Sequence, residues 1–357
     1  MFSFGSKKIL GVDIGSSSIK VVEVKFQGGK PYLTNYAWMQ LSGIKNVEST
    51  ASLPDDFLSL CLARIIKEGN FSTKKANVSI PSSGGLITLI EFPETIKKDL
   101  DQAIRFEAHK YIPSALEDVV FSWDVVGRKG SSLISKIEDK KKENDDLSKN
   151  KLEVLLVAAS KNRVEKYESI VRGAGLSLES IEIESFSLSR SLIGNDQRNF
   201  LIIDIGHRIC NIILVEKGII KMNHSIDVGG RDLTRIISRN MNLDNKRAEQ
   251  VKMKTNFFQE KASIQFPPLE VITSEINRIL DSYYGKNNRS RLDGLIISGG
   301  TASLKGIESY FSEVAQAKIY PANPFGRLLF SAQIKPLLLN VKPNFGVAVG
   351  LAIREDK

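Results

Sequence analysis

Residues 10–24 read LGVDIGSSSIKVVEV. An apolar run ends in an acid, turns through Gly15, Ser16, Ser17 and Ser18, and enters a second apolar run at Ile19, with Lys20 next. Small residues in a tight turn between two strands let backbone N–H groups converge on an anion. The three serines add hydroxyl donors. Lys20 supplies positive charge near a phosphate, unless strand alternation turns it to solvent. Asp13, at the end of its strand, is a costly carboxylate to bury without a counter-charge.

The device recurs. Residues 200–218 read FLIIDIGHRICNIILVEKG, again strand, Asp-Ile-Gly, turn, strand. The same device in two halves predicts a duplicated α/β fold with a cleft between them. Hydrated Mg²⁺ leans on one or two carboxylates plus phosphates, a role that Asp13 and Asp204 fit. One copy alone is equally well a plain hairpin turn, but two Gly-Gly signals follow. In SIDVGGRDLTRII, Gly229 and Gly230 precede a helical stripe of Leu233, Ile236 and Ile237, whose N-terminus is expected to offer an anion site. In GLIISGGTASLKGIESYF, Gly299, Gly300 and Thr301 lie between a strand and a helix carrying Leu304, Ile307, Tyr310 and Phe311. Two glycines there allow a flat base to approach the backbone.

The bulk composition narrows the class. With 357 residues, 42% hydrophobic and 25% charged, the chain is long enough for two lobes with separate cores. Two cysteines form no framework of spaced pairs, which predicts a reducing compartment. No apolar run reaches the length of a membrane-spanning helix, and the N-terminal apolar residues lead straight into the first strand, so a cytoplasmic protein is expected. Net charge is +9, and residues 128–151, RKGSSLISKIEDKKKENDDLSKNK, hold eight Lys/Arg and five Asp/Glu. That segment reads as a flexible loop between strands over 119–126 and 153–159. The remaining positive charge is dispersed, which argues against a nucleic-acid footprint. Apolar periodicity predicts helices on Leu58, Cys61, Leu62, Ile65 and Ile66; on Ile96, Leu100, Ala103, Ile104, Ala108 and Tyr111; on Val164, Tyr167, Ile170 and Val171; and on Leu269 through Tyr283. The three histidines lack metal-ligand spacing, and no Walker-type loop occurs.

The order Asp-Ile-Gly, Asp-Ile-Gly, Gly-Gly, Gly-Gly-Thr resembles the phosphate-1, phosphate-2 and adenosine pattern of the actin-like ATPases. Within that superfamily the chain is most similar to the PilM family of type IV pilus assembly proteins, related to FtsA. The closer match rests on LGVDIGSSSIKVVEV, EFPETIKKDLDQAIRFEAHKYIPSALEDVVFSWDVVG, VGGRDLTRII, PANPFGRL and PNFGVAVGLAIRE. The resemblance implies a two-lobed actin-like fold of duplicated ribonuclease-H-like type. Residues 1–200 would form the first lobe, with core 1–81 plus 176–200 and an inserted FtsA/PilM-type small subdomain at 82–175. Residues 201–357 would form the second, with core 201–230 plus 295–357 and a small subdomain at 231–294.

The resemblance also implies ATP and Mg²⁺ in the cleft. Asp13, Gly15, Ser16, Ser17 and Lys20 would face phosphate and metal, with Asp204, Gly206 and His207 as the second loop and Asp204 as the second metal carboxylate. Gly229 and Gly230 would flank the phosphates; Gly299, Gly300 and Thr301 would face the nucleoside. Glu249 and Lys252 share a helix face and match a pair that contacts ribose and base in DnaK-type proteins; a surface ion pair is the equal alternative. The second loop departs from the pattern, with His207, Arg208, Ile209, Cys210 and Asn211 where relatives carry small residues. No residue stands out to orient a catalytic water, so nucleotide binding with slow or negligible hydrolysis is expected, and Cys210 reads as a buried structural thiol.

In the family, a groove beside the small subdomain holds the cytoplasmic N-terminal tail of PilN, an inner-membrane protein. The implied role is a scaffold linking PilN to the pilus motor ATPases, with membrane contact indirect through PilN and self-association open. The alternatives are a filament former of FtsA or MreB type and an actin-superfamily small-molecule kinase.

Overall fold

The computed structural model describes residues 7–41, 53–112, 114–129, 151–258, 264–286 and 291–355. In chain order the strands are β1 (Lys8–Ile14), β2 (Ser18–Gln27), β3 (Lys30–Gln40), β4 (Lys75–Ile80), β5 (Gly85–Pro93), β6 (Val119–Lys129), β7 (Lys151–Ser160), β8 (Ser177–Ile183), β9 (Phe200–Ile205), β10 (Cys210–Glu216), β11 (Ile219–Ile226), β12 (Gly294–Ser298) and β13 (Ile319–Pro321). The helices are α1 (Asp55–Glu68), α2 (Leu100–Ala108), α3 (Lys161–Gly173), α4 (Glu184–Leu192), α5 (Gly230–Met241), α6 (Asn245–Lys254), α7 (Pro267–Lys286), α8 (Ile307–Ala315), α9 (Lys335–Val341) and α10 (Gly346–Ala352).

Two five-stranded sheets share one topology. The first runs β3-β2-β1-β4-β8 and the second β11-β10-β9-β12-β13. In each, the first three strands form an antiparallel meander and the last two add in parallel. The duplication read from the two Asp-Ile-Gly hairpins is therefore a duplication of whole sheets. β1 and β9 are central, so both faces are covered and the sequence is a continuous apolar run; Leu10, Val12, Leu201, Ile202 and Ile203 have no exposed surface.

Both sheets lie within one compact unit, residues 1–83 and 166–357; residues 84–165 form a second unit. The second unit is the antiparallel sheet β5-β7-β6, with α2 covering the face that presents Ile90, Phe92, Val154 and Leu156. β6 and β7 pair from Val119↔Ser160 to Lys129↔Lys151, so the polar segment does connect neighbouring antiparallel strands; its residues 130–150 lie outside the described residues. The helix expected to run to Tyr111 is shorter than its apolar stripe. A 3₁₀ turn, Glu94–Asp99, precedes α2, and Tyr111 lies beyond it, 39% exposed. In the second sheet's half, Leu233, Ile237, Ala248 and the buried face of α7 join β9, β10 and β12 in a single core.

α4 and α10 pack together, and α10 also packs on β1. α4 buries Ser185, Ser187, Ser189 and Ser191, and α10 is built as GVAVGLA, wholly buried. Small residues on both helices allow close backbone approach. A Cβ on Gly11 of β1 would lie 2.0 Å from the Ala348 carbonyl oxygen, so only glycine fits beneath α10.

Candidate nucleotide site

The register of the first hairpin pairs Asp13 with Lys20 directly, which puts both side chains on one side of the sheet. Lys20 Nζ donates to Asp13 Oδ2 at 2.9 Å, and both groups are largely buried. Lys20 therefore faces the site and not solvent. The turn is closed by the Gly15 amide donating to the Ser18 carbonyl at 3.0 Å. A Cβ on Gly15 would stand 3.5 Å from Lys20 Nζ and 3.8 Å from Asp13 Oδ1. Among the described residues the Ser16 and Ser17 hydroxyls have no hydrogen-bond partner, which leaves them for a ligand.

Asp204, one residue before the end of β9, pairs with Asn211 of β10 and Ser298 of β12. Burial raises its carboxyl to about 6; the Ser298 hydroxyl and the Lys20 ammonium work against the shift, and the charge of Asp13 adds to it. The two hairpin acids are thus close enough to feel each other, with Lys20 beside both. A third acid joins them that the sequence reading missed. Glu184, the first residue of α4, is lifted to about 7 by burial and by the charges of Asp204 and Asp13. Its Oε1 accepts from the Ser82 amide at 2.9 Å and from Asn211 Nδ2 at 2.8 Å. The signal was faint: an acid directly after the strand end Ile183, with no glycine turn to mark it.

The second loop packs against α5. Gly206 and His207 carbonyls accept from the Gly230 and Arg231 amides, both at 2.9 Å, while the Asp232 amide donates to the Gly229 carbonyl and the Gly229 amide to Asp232 Oδ2. The amides from 229 to 232 at this helix N-terminus all have partners within the protein. The glycines serve close approach, since a Cβ on Gly229 would lie 2.5 Å from the His207 carbonyl oxygen. His207 is held neutral, its pKa lowered by burial and then by the nearby Lys252 and Arg231. Cys210 is fully buried and its thiol pKa is pushed well up by burial, as a structural thiol requires.

Glu249 and Lys252 form an ion pair on α6. Lys252 is 4% exposed, so the pair is no surface ion pair. Its ammonium donates to Glu249 Oε2 at 2.7 Å, Thr234 Oγ1 at 2.8 Å and the Gly230 carbonyl at 3.0 Å. One donor goes to Glu249 on the same helix and the other two tie α6 to the start of α5, although burial lowers its pKa. Lys252→Met is expected to cost about 2 kcal/mol, because it removes charge-assisted hydrogen bonds that tie α6 to α5, while the Thr234 hydroxyl keeps the Gly230 carbonyl and Glu249 as partners; chemical denaturation of the variant checks this.

Gly230 brings these residues to the last motif. A Cβ there would lie 2.7 Å from Thr301 Oγ1 and 3.4 Å from Lys252 Nζ. Gly299 adopts φ +86°, and its amide donates to the Pro343 carbonyl at 3.0 Å. Next to it, Asn344 Oδ1 is buried with no partner, 3.4 Å from where a Gly300 Cβ would be. The chain after Gly299 forms a 3₁₀ turn, Gly300–Ser303, before α8 begins at Ile307.

These features suit a Mg-nucleotide. The clustered carboxylates favour a cation in addition to Lys20, and among the described residues the first-turn hydroxyls and Asn344 Oδ1 beside Gly300 have no partner. Among the described residues no group of three or more His, Cys, Asp or Glu could hold a metal, so a cation here would lean on phosphate oxygens and water as Mg²⁺ does. Asp13 and Asp204 are the residues that would hold it.

Comparison with known proteins agrees with this architecture. The cell division protein FtsA of Helicobacter pylori strain J99 is 28% identical over 254 residues, 60% of this chain and 50% of that protein. FtsA of Streptococcus pneumoniae is 21% identical over 367 residues, 88% of this chain and 76% of that one. The chain spans about half the length of the first of these curated relatives. Among solved structures, a PilM–PilN type IV pilus biogenesis complex superposes with a TM-score of 0.77 at 24% identity, covering 97% of this chain and 98% of the other. The ethanolamine utilization protein EutJ of Carboxydothermus hydrogenoformans gives 0.52 at 17% identity, covering 99% and 91%. These likenesses establish the actin-like fold. The model of the family described as type IV pilus assembly protein PilM matches residues 11–356, and by that near-complete match the chain belongs to the PilM family.

Proposed function

We propose that this chain is an ATP-binding scaffold of the type IV pilus assembly machinery. Mg-ATP sits between the two hairpin turns, and the cytoplasmic N-terminal tail of a PilN-type membrane protein docks on the chain. The observation that carries the nucleotide site is the convergence of Asp13, Lys20 and Asp204 from two separate hairpins. Gly15, Ser16 and Ser17 cradle phosphate. His207, neutral and packed beside Lys252, lines the second loop, while Gly300 and Thr301 meet the nucleoside. Bound Mg²⁺ supplies charge neutralisation between the phosphates and the two aspartates. Turnover is expected to be slow, because no residue of the two turns stands out to orient an attacking water.

The PilN-type partner is supported by family membership and by the partner named in the similar solved complex. Among the described residues no helix is long and apolar enough to cross a membrane, which suits a protein recruited to the inner membrane by a tail of another. Coupling to the pilus motor ATPases belongs to the same proposal. The FtsA relatives favour one second reading, an ATP-dependent filament former.

Titration calorimetry separates these. The PilN-type tail peptide is expected to bind near micromolar, about −8 kcal/mol. Absence of binding with and without Mg-ATP, together with ATP-dependent sedimentation, would favour the filament. Asp13→Ala is expected to weaken Mg-ATP binding by about thirtyfold or more, about 2 kcal/mol; unchanged affinity would remove Asp13 from the site.

A further inference from the structure

Beside Gly300 stands a buried polar group that the fold itself does not use. Asn344 Oδ1 is buried without a hydrogen-bond partner, and among the described residues the rest of its carboxamide makes no hydrogen bond either. Turning the group over would only exchange a stranded acceptor for a stranded donor. A buried acceptor left unpaired is destabilising, and folded proteins hold few of them. Asn199 and Arg231 also carry a buried atom without a hydrogen bond, but both side chains are held elsewhere. Asn199 Nδ2 donates to the Arg291 carbonyl at 3.0 Å, and the Arg231 guanidinium lies 3.5 Å from Asp227 Oδ1 and 3.6 Å from Asp232 Oδ1. Asn344 has no such hold.

The backbone fixes Asn344 instead. It lies in the 3₁₀ turn Lys342–Phe345 that leads into α10. On one side the Pro343 carbonyl accepts from the Gly299 amide at 3.0 Å and from Ser298 Oγ at 3.3 Å. On the other, Phe345 is buried and packs edge-on against Tyr36, ring centroids 5.8 Å apart. Both neighbours are locked, so the carboxamide is positioned in advance of any ligand.

Gly300 leaves the space before it open. A Cβ there would meet Asn344 Oδ1 at 3.4 Å and no other described atom within 4 Å. A flat ring can lie on backbone that carries no side chain. A carboxamide at its edge then offers an acceptor and a donor in one plane. That pair matches adenine, whose edge presents the N6 amino donor beside the N7 acceptor, whereas guanine presents two acceptors.

We propose that Asn344 selects the base, its Oδ1 accepting a hydrogen bond from the 6-amino group of adenine. The inference rests on the nucleotide site argued above and names the residue that decides which nucleotide enters it. Asn344→Ala then has a signature that a structural residue lacks. It removes a stranded acceptor, so the melting temperature of the ligand-free chain is unchanged or raised while nucleotide affinity falls.

The test is titration calorimetry of the full chain with Mg-ATP and with the Mg-triphosphate of purine riboside, which lacks only the 6-amino group. The natural chain is expected to bind ATP about tenfold tighter than the analogue. Asn344→Ala is expected to bind both alike, at the weaker affinity. Equal affinities in the natural chain, or a preference for ATP that the variant keeps, overturns the assignment. So does a preference for ATP over 2′-deoxy-ATP that vanishes in the variant, which would place the oxygen on the ribose. A lowered melting temperature of the ligand-free variant would make the side chain structural and overturns it too. Failure of the natural chain to bind either triphosphate would overturn the nucleotide site itself, and this inference with it.

Discussion

Gly350→Ala is expected to destabilise the chain by about 3 kcal/mol or more, beyond the ordinary range for one added methyl. The new Cβ would lie 2.0 Å from the Ser187 carbonyl oxygen and 2.5 Å from its carbon, both backbone atoms that no rotamer change can move. α10 has no room to retreat. On its other side the Ala348 carbonyl oxygen stands 2.0 Å from where a Gly11 Cβ would be. Arg190 reaches across the same crossing, donating to the Gly350 carbonyl at 2.8 Å while it pairs with Glu182. Opening the crossing would loosen that pair too. Urea denaturation of the soluble variant, or its loss to inclusion bodies, checks the expectation. The control is Gly28→Ala, where a Cβ meets nothing within 4 Å and the only penalty is a φ of +59°; it should cost far less.

The same crossing shows why part of this molecule was legible in sequence and part was not. Each Asp-Ile-Gly turn is local, and local spacing fixed both the sheet duplication and the place of Asp13 and Asp204. The direction of Lys20 was not local information until the strand register paired it with Asp13. The Gly-Gly at 229–230 reads as a strand-to-helix turn, yet the Gly230 amide is spent on the Gly206 carbonyl, more than twenty residues earlier, and the Gly229 amide on Asp232 Oδ2. For Lys252 a surface pair and a nucleoside contact read equally well, because its third partner, the Gly230 carbonyl, is visible only when α6 folds against α5. Glu184 was the largest omission. Its two donors, Ser82 and Asn211, lie on separate segments far from it in sequence, and no periodicity links them. Burial and long-range pairing, not propensity, decide such residues.

Glu184 also carries the strongest expected pH dependence. Its carboxyl rises from the ordinary 4.5 to about 7 in the folded chain, first through burial and then through the charges of Asp204 and Asp13. A raised folded value means that between pH 4.5 and 7 the unfolded chain gives up this proton while the folded chain keeps it. Stability is therefore full below 4.5 and is lost as pH rises through 7, by about 3 kcal/mol for this group taken alone. Asp204, raised to about 6, titrates in the same cluster, so the two losses overlap and do not add. His207 acts oppositely. Its lowered value lets the unfolded chain take a proton first as pH falls below 6.5, so it favours stability at higher pH. The test is therefore a difference between variants and not one pH curve. Without nucleotide, Glu184→Gln is expected to flatten the fall in unfolding free energy between pH 5 and 7.5 and to leave the variant more stable than the natural chain at pH 7.5. The carboxamide oxygen retains the acceptor role toward Ser82 and Asn211 and removes only the charge. Mg-ATP should narrow the gap at pH 7.5, because a cation held by Asp13 and Asp204 lowers the repulsion that keeps Glu184 protonated. Parallel pH curves for the two chains would mean that Glu184 ionises freely and that the three acids do not act as one cluster.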